Sequence, residues 1–317
     1  MTKTTATAHT NIALIKYWGK KDAQLNLPTT SSLSLTLDKF YTTTTVENSD
    51  IDQLIINGQM ADPNRVHHFL DGLRTELGDF SPLLISSQNH VPTAAGLASS
   101  ASAFAALTAA TTRHIGLDLP LTTLSRLARR GSGSATRSLF GGFALWQAGT
   151  NDQTSYANAL PTSNIPISLL VVEISGLQKK ISSSDGMLRA MTSPKYEQWV
   201  HDANWQITAM QTALQAGDLT QVGQLAENNA LAMHALNLSA KDRRFTYFTP
   251  QTIQVLDLVK KLRQNGLIAY ATLDAGPNVK IITHADQAAY IQAQLHQELP
   301  KLRVTIAHPG PGVSYEQ

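Results

Sequence analysis

Residues Pro92–Ser102 combine a Pro-Thr turn, small side chains, one glycine and three serines. The alanine-rich run Ala101–Ala110 follows, and its composition predicts a helix. Small residues at a helix start leave backbone N–H groups uncovered. With the positive end of the helix dipole, those donors form an anion site. The serine hydroxyls add donors, and one of them could ligate Mg²⁺. GxxxxGK[ST] is absent, so this phosphate cradle is not the common nucleotide loop. The plainer alternative is a packed alanine helix with a serine cap, but packing alone does not call for three serines around one glycine.

Three further clusters carry chemistry. Tyr17-Trp18-Gly19-Lys20 places an amphipathic aromatic, a flexible backbone and a cation after a strand. Lys20 suits a carboxylate or phosphate as a point charge, and equally suits a solvated surface. Ser132-Gly133-Ser134-Ala135-Thr136-Arg137 puts glycine, hydroxyls and a guanidinium at a helix start. The Arg137 fork can donate two parallel hydrogen bonds to a carboxylate, or pair with a surface acid. Asp274 stands in Asp274-Ala275-Gly276-Pro277-Asn278, where an acid before a Gly-Pro turn often only caps backbone N–H groups.

The elements that must hold these groups follow from periodicity. Ala6–Trp18 begins as a strand. Leu27–Thr30 reads as a turn, Ser31–Leu37 and Tyr41–Val46 as two strands, and Leu54–Ile56 as a strand ending in an Asn57-Gly58 hairpin signal. Pro63–Leu77 is helical, Leu83–Ser87 is a strand feeding the phosphate loop, Leu121–Arg129 is a helix, and Gly141–Gln147 is a strand. After Asn164-Ile165-Pro166 the pattern changes. Ser168–Ile174 is a buried strand, followed by helices over Ser193–Ala216, Asp218–Leu236 and Thr252–Asn265. Strands over Leu267–Leu273 and Val279–Thr283, a helix over Ala285–Leu299 and a strand over Arg303–His308 close the chain. The reading is α+β, with a β-rich domain over 1–164 and a smaller α+β domain over 165–317.

Composition narrows the function classes. The chain has 317 residues, 42% of them hydrophobic and 15% charged, which suits a globular protein with a large core. A net charge of +2 is too small for a nucleic-acid surface. Zero cysteines exclude disulfides and thiolate chemistry and suit a cytoplasmic setting. Met1–Thr10 has no apolar signal-peptide core, and the longest apolar stretches are too short for a membrane helix.

Pro92–Ser102 resembles the phosphate loop of the GHMP kinase superfamily. Three other stretches narrow the resemblance to the diphosphomevalonate decarboxylases: Asn11–Lys20, Arg130–Ser138 and Asp274–Asn278. The resemblance spans about Asn11 to Asn278. It implies a two-domain GHMP fold, with an N-terminal domain like one found in ribosomal proteins and a C-terminal ferredoxin-like domain. It also implies ATP and Mg²⁺, and a commonly homodimeric enzyme. The implied reaction converts ATP and (R)-5-diphosphomevalonate to isopentenyl diphosphate, CO₂, ADP and phosphate.

The roles it implies attach to residues of this chain. Asp274 is the central acid beside the C3 hydroxyl, with Lys20 close by to keep it ionised, and Arg137 holds the substrate carboxylate. Tyr17, Trp18, Gly19 and Lys20 line the substrate pocket with Ser132, Gly133, Ser134, Ala135 and Thr136. Arg65 grips the diphosphate, helped by Ser183 and Ser184 of the hydroxyl-rich Ser182–Met187 turn. The nucleotide falls to Pro92, Ala95, Gly96, Leu97, Ala98, Ser99, Ser100 and Ser102, with Ser87 and Asn89 nearby, and Ser99 is the candidate metal ligand. The nearest rivals are a decarboxylase of a mono-phosphorylated mevalonate and a kinase that stops after phosphoryl transfer. A non-catalytic or RNA-binding protein of similar fold is a more distant one.

Overall fold

A computed structural model describes residues 3–91, 99–175 and 181–316. In chain order the first half contains β1 (Thr4–Ile15), β2 (Lys20–Asp22), β3 (Leu27–Pro28), β4 (Ser32–Asn48), β5 (Gln53–Ile56), β6 (Gln59–Ala61), α1 (Asn64–Leu77), β7 (Leu83–Asn89), α2 (Ser99–His114), α3 (Leu121–Gly131), a 3₁₀ turn (Gly133–Thr136), β8 (Phe143–Trp146) and β9 (Ala157–Ala159). The second half contains β10 (Ile167–Glu173), α4 (Ser183–Ala190), α5 (Tyr196–Ala216), α6 (Leu219–Ser239), α7 (Pro250–Gln264), β11 (Tyr270–Leu273), β12 (Val279–His284), α8 (Ala288–Glu298), β13 (Arg303–Ala307) and β14 (Ser314–Tyr315).

Two sheets organise the molecule. An eight-stranded sheet runs β14-β1-β4-β7-β5-β6, with β8 on β4 and β9 on β8. A four-stranded antiparallel sheet runs β11-β12-β10-β13. Strand alternation decides what covers each face. Ala6, Ala8 and Val46 pack in one core with the alanine face of α2. Ile12, Leu14, Leu33 and Leu35 pack in a second core with Ile207 and Met210 of α5 and Val222 and Leu225 of α6. Leu169, Val171, Tyr270 and Ile282 of the smaller sheet reach that same second core, so the α5–α6 hairpin lies between the sheets. The opposite face of the smaller sheet, with Leu170, Ala271, Leu273 and Ile281, packs on Val255 and Val259 of α7 and Ile291 and Leu295 of α8. Each large apolar side chain so buried contributes about 1.5–3 kcal/mol.

Local signals behave as their chemistry demands. Asn57 and Gly58 adopt φ of 50° and 79°, turning β5 into β6. Thr249 caps α7 in a reciprocal capping box with Thr252, and Pro250 follows at the first turn. The two strands expected over 31–37 and 41–46 are one 17-residue strand. β4 itself carries the irregularity: residues 37–40, including Asp38-Lys39, bulge opposite Thr10 between the pairs His9–Tyr41 and Asn11–Thr36, and the ladder resumes on either side. The Ser182–Met187 turn is the start of a helix: Ser182 accepts from the Asp185 N–H at 3.0 Å and caps α4.

Candidate active site

Lys16 follows the last residue of β1 and is 2% exposed. Its ammonium donates to the Ala13 carbonyl at 2.7 Å and to Asp274 Oδ1 at 2.9 Å. Its backbone N–H donates to Asn229 Oδ1 of α6 at 2.8 Å, anchoring the strand end to the other half. Lys280 of β12 holds Asp274 Oδ2 at 3.1 Å. Burial alone would raise the Asp274 pKa, but the Lys16 and Lys280 ammoniums overcome it and hold the carboxyl well below the usual range. The same burial pulls the Lys16 pKa down, and Asp274 offsets part of that fall.

Arg137 follows the 3₁₀ turn and is also 2% exposed. Its guanidinium donates to Asn11 Oδ1 at 3.3 Å and to the Ser32 hydroxyl, and it lies 5.6 Å from the Trp146 ring. Burial lowers its pKa to about 10, with Asp274 opposing. Asn11 also donates to the Ser134 carbonyl and to Ser138 Oγ, fixing the turn that carries the arginine. These groups surround a pocket of about 80 Å³ lined by Asn11, Lys16, Arg137 and Asp274. The Asp274 side chain retains 26% exposure. Among the described residues two cations, Lys16 and Arg137, and one carboxylate already paired with Lys280 line this pocket, an electrostatic demand for an anion.

The pocket adjoins a cleft of about 1610 Å³, and Tyr17, Ser134, Ser183 and Met187 line both. Lys20 and Arg65 stand on the cleft wall. Lys20 donates to Ser184 Oγ at 3.3 Å, while Arg65 donates to the Gly131 carbonyl and lies over the Phe104 ring. Burial, then the Arg65 charge, lowers the Lys20 pKa, and burial lowers that of Arg65. No carboxylate among the described residues pairs with either cation. Ser99 and Ser100, the first residues of α2, open onto the same cleft with Ser132, Gly133 and Ser134. Two cations lacking carboxylate partners and a hydroxyl-bearing helix start suit a polyphosphate.

Glycine permits two close approaches here. Gly19 has φ 130°, and a Cβ there would sit 1.7 Å from Tyr196 Oη. A Cβ on Gly133 would sit 2.6 Å from the Tyr17 ring. Tyr17 packs edge-on to Trp146 at 4.7 Å, and Trp18 is buried with its indole N–H on Asn237 Oδ1.

Other expected residues fall elsewhere. Ser102 is fully buried, its hydroxyl bonded to Thr42 and Thr10 of the sheet rather than turned to the cleft, because α2 presents a different face there. Ala135 and Thr136 are buried behind the wall, and Thr136 Oγ1 donates to the Gly133 carbonyl. Ser87 bonds Thr44, Asn89 bonds Thr42, and neither lines the cleft. Pro92, Ala95, Gly96, Leu97 and Ala98 lie outside the described residues. The cation beside Asp274 is not Lys20, as expected, but Lys16 with Lys280. Lys20 lies after β1 has ended and points to Ser184. Lys280 and His234 were not anticipated. His234 is a 3%-exposed imidazole whose pKa burial and then Lys16 lower to about 3.

The fold and this cleft define a two-domain α+β protein of the GHMP kinase class. Residues 8–157 match the diphosphomevalonate decarboxylase-like N-terminal domain, and residues 169–308 match the mevalonate 5-diphosphate decarboxylase C-terminal domain. The chain belongs to the diphosphomevalonate decarboxylase family. It is 36% identical over 305 residues to the diphosphomevalonate decarboxylase of Candida albicans, covering 89% of this chain and 84% of that one. It superposes on mevalonate diphosphate decarboxylase from Staphylococcus aureus with a TM-score of 0.95 at 39% identity, covering 99% and 98% of the two chains. A second structure, MDDEF in complex with MVAPP, AMPPCP and magnesium, gives a TM-score of 0.95 at 41% identity and covers 99% of each chain.

Proposed function

We propose that this protein catalyses the ATP-dependent decarboxylation of (R)-5-diphosphomevalonate to isopentenyl diphosphate, CO₂, ADP and phosphate. The observation that carries the reading is the pocket of Arg137, Lys16 and Asp274 opening into a cleft that holds Lys20 and Arg65. A substrate with a carboxylate at one end, a diphosphate at the other and a tertiary hydroxyl between them complements that charge pattern.

Arg137 holds the carboxylate by paired hydrogen bonds. Lys20, Arg65, Ser183 and Ser184 hold the diphosphate, Tyr17, Trp18 and Ser132–Ser134 shape the wall, and Gly19, Ala135 and Thr136 support it from behind. Asp274 faces the C3 hydroxyl. Its depressed pKa and paired oxygens make it an orienting anion more than a strong proton acceptor. The C3 oxygen attacks the γ-phosphorus of ATP as the bond to ADP breaks, and the hydroxyl proton passes to an oxygen of the transferred phosphoryl group. The C3–O bond then breaks as phosphate leaves. The electron pair of the bond to the carboxylate becomes the new C=C bond as CO₂ departs. Lys16 and Arg137 stabilise negative charge on the transferred phosphoryl group and the carboxylate, so positioning and electrostatics carry most of the rate enhancement.

The first turn of α2, with Ser99 and Ser100, suits the ATP phosphates, supported by the adjoining residues 92–98. Ser87 and Asn89 remain proposed near the nucleotide only through the resemblance. Ser99 would hold Mg²⁺, with phosphate oxygens and water filling the other positions, since Mg²⁺ prefers few protein ligands. When bound, the ion neutralises phosphate charge. A division into domains over 1–164 and 165–317, a homodimer and a cytoplasmic location complete the proposal; the cysteine-free composition favours the last. Sedimentation velocity tests the dimer.

The deciding assay is CO₂ release with ATP and each phosphorylated mevalonate in turn. The 5-diphosphate is the expected substrate. Turnover only with a mono-phosphate, or ADP formation without CO₂, would overturn the reading.

A further inference from the structure

Lys280 has no counterpart among the roles assigned above. Its strand, Val279–His284, is an inner strand of the four-stranded sheet. Val279 and Ile281 point into the core with α7 and α8, whereas Ile282 and its partner Tyr270 point towards α5 and α6. Alternation puts Lys280, opposite Thr272, on this second face, and it is 1% exposed. A buried lysine costs stability unless its charge is met, and an apolar residue of similar volume would do better. The charge is met by Asp274, which starts the turn leading into the same strand.

We infer that Lys280 is a positioning residue that fixes the reactive orientation and charge of the Asp274 carboxylate from within its own domain. Lys16 reaches Oδ1 from the eight-stranded sheet, and Lys280 reaches Oδ2 from the smaller sheet. With one ammonium on each oxygen, rotation of the carboxylate is blocked, and its remaining lone pairs face the pocket. Lys16 alone would leave Oδ2 unanchored and make the geometry depend on the contact between the halves. The groups facing Asp274 are Lys16 at the end of β1, Lys280 of β12, Arg137 after the 3₁₀ turn and His234 of α6. Burial and Lys16 keep His234 neutral, so the charge of Asp274 is met by the three cations.

This inference rests on the decarboxylase reading. The test is the pH profile of kcat for the full-length protein and for Lys280→Met and Lys280→Arg, with ATP, Mg²⁺ and (R)-5-diphosphomevalonate. Lys280→Met should lose about 10- to 100-fold in kcat. Its KM values should change little, and its acid limb should move to higher pH because one cation opposing protonation is gone. Lys280→Arg keeps the charge and should keep the wild-type acid limb. If Lys280→Met does not fold, Lys280→Gln carries the same comparison. Unchanged kcat and acid limb in the neutral variant, or identical shifts in the neutral and arginine variants, would overturn the inference. Absence of CO₂ release by the wild type would instead overturn the function itself.

Discussion

Lys16 and Asp274 are 258 positions apart in the chain, yet the ammonium of one donates to the carboxylate of the other at 2.9 Å. One side chain belongs to the end of β1, the other to the turn between β11 and β12. The reacting end of the site therefore exists only where the two sheets meet. Removing either partner leaves the other as a buried charge with diminished compensation.

Asp274→Ala should lower kcat by about 10²–10³-fold or more, the scale of deleting a preorganised charged group. Titration with a fluorescent ATP analogue should give a near-normal Kd, because Ser99 and Ser100 lie on the cleft and not beside Asp274. Wild-type-like kcat would remove Asp274 from the chemistry.

Arg137→Lys should lose about 30-fold or more in kcat/KM for the mevalonate substrate, since a point charge cannot reproduce the fork held by Asn11 and Ser32. Steady-state kinetics at saturating ATP check this, and full activity would refute the carboxylate clamp.

Asp152→Asn should destabilise the fold by about 3–5 kcal/mol at pH 7. Asp152 receives Arg126, Arg130 and the fully buried Arg129; the first two keep Glu76, but Arg129 loses its carboxylate partner. Burial raises its pKa, but bonds from Arg130 and Arg126 outweigh this and leave it below the unfolded value. A depressed carboxyl stabilises above its unfolded pKa and loses that contribution as pH falls through its folded pKa. Urea melts should therefore show the wild-type advantage at pH 7 shrinking below about pH 4; a difference independent of pH would contradict the assignment.

Gly19→Ala should cost at least about 1–3 kcal/mol from its positive φ alone, with more from the collision with Tyr196 Oη. Thermal unfolding and turnover should both suffer, because the strained peptide joins Trp18 to Lys20. A wild-type Tm would show that the backbone there relaxes freely.

The elements legible in the sequence were those whose pattern is local. The Asn57-Gly58 turn, the apolar face of α1 and the alanine helix α2 each carry their cause within a few residues. The short strands β6, β9 and β14 escaped notice because two or three residues hold no period, and partners distant in sequence define them. The site shows the same division. Arg137 and Asp274 stand beside glycines and hydroxyls that mark them. Lys280, within Val279-Lys280-Ile281-Ile282, reads by alternation as a solvent-facing polar position. Its signal was the apolar company of an inner strand, which becomes informative only once the sheet order is known. Lys16 was hidden similarly, as one more residue in a basic-aromatic run.

The α5–α6 hairpin between the sheets has a consequence for synthesis. Ile12, Leu14, Leu33 and Leu35 are made first, yet their cover, Ile207 through Leu225, leaves the ribosome nearly two hundred residues later. Throughout that interval the nascent chain carries an unshielded oily surface. Its first strand also waits for Ser314–Tyr315, about three hundred residues further along the chain, to pair at its edge. Vectorial folding of the first half alone is thereby discouraged, and the emerging chain is a natural client for chaperones until its second half arrives.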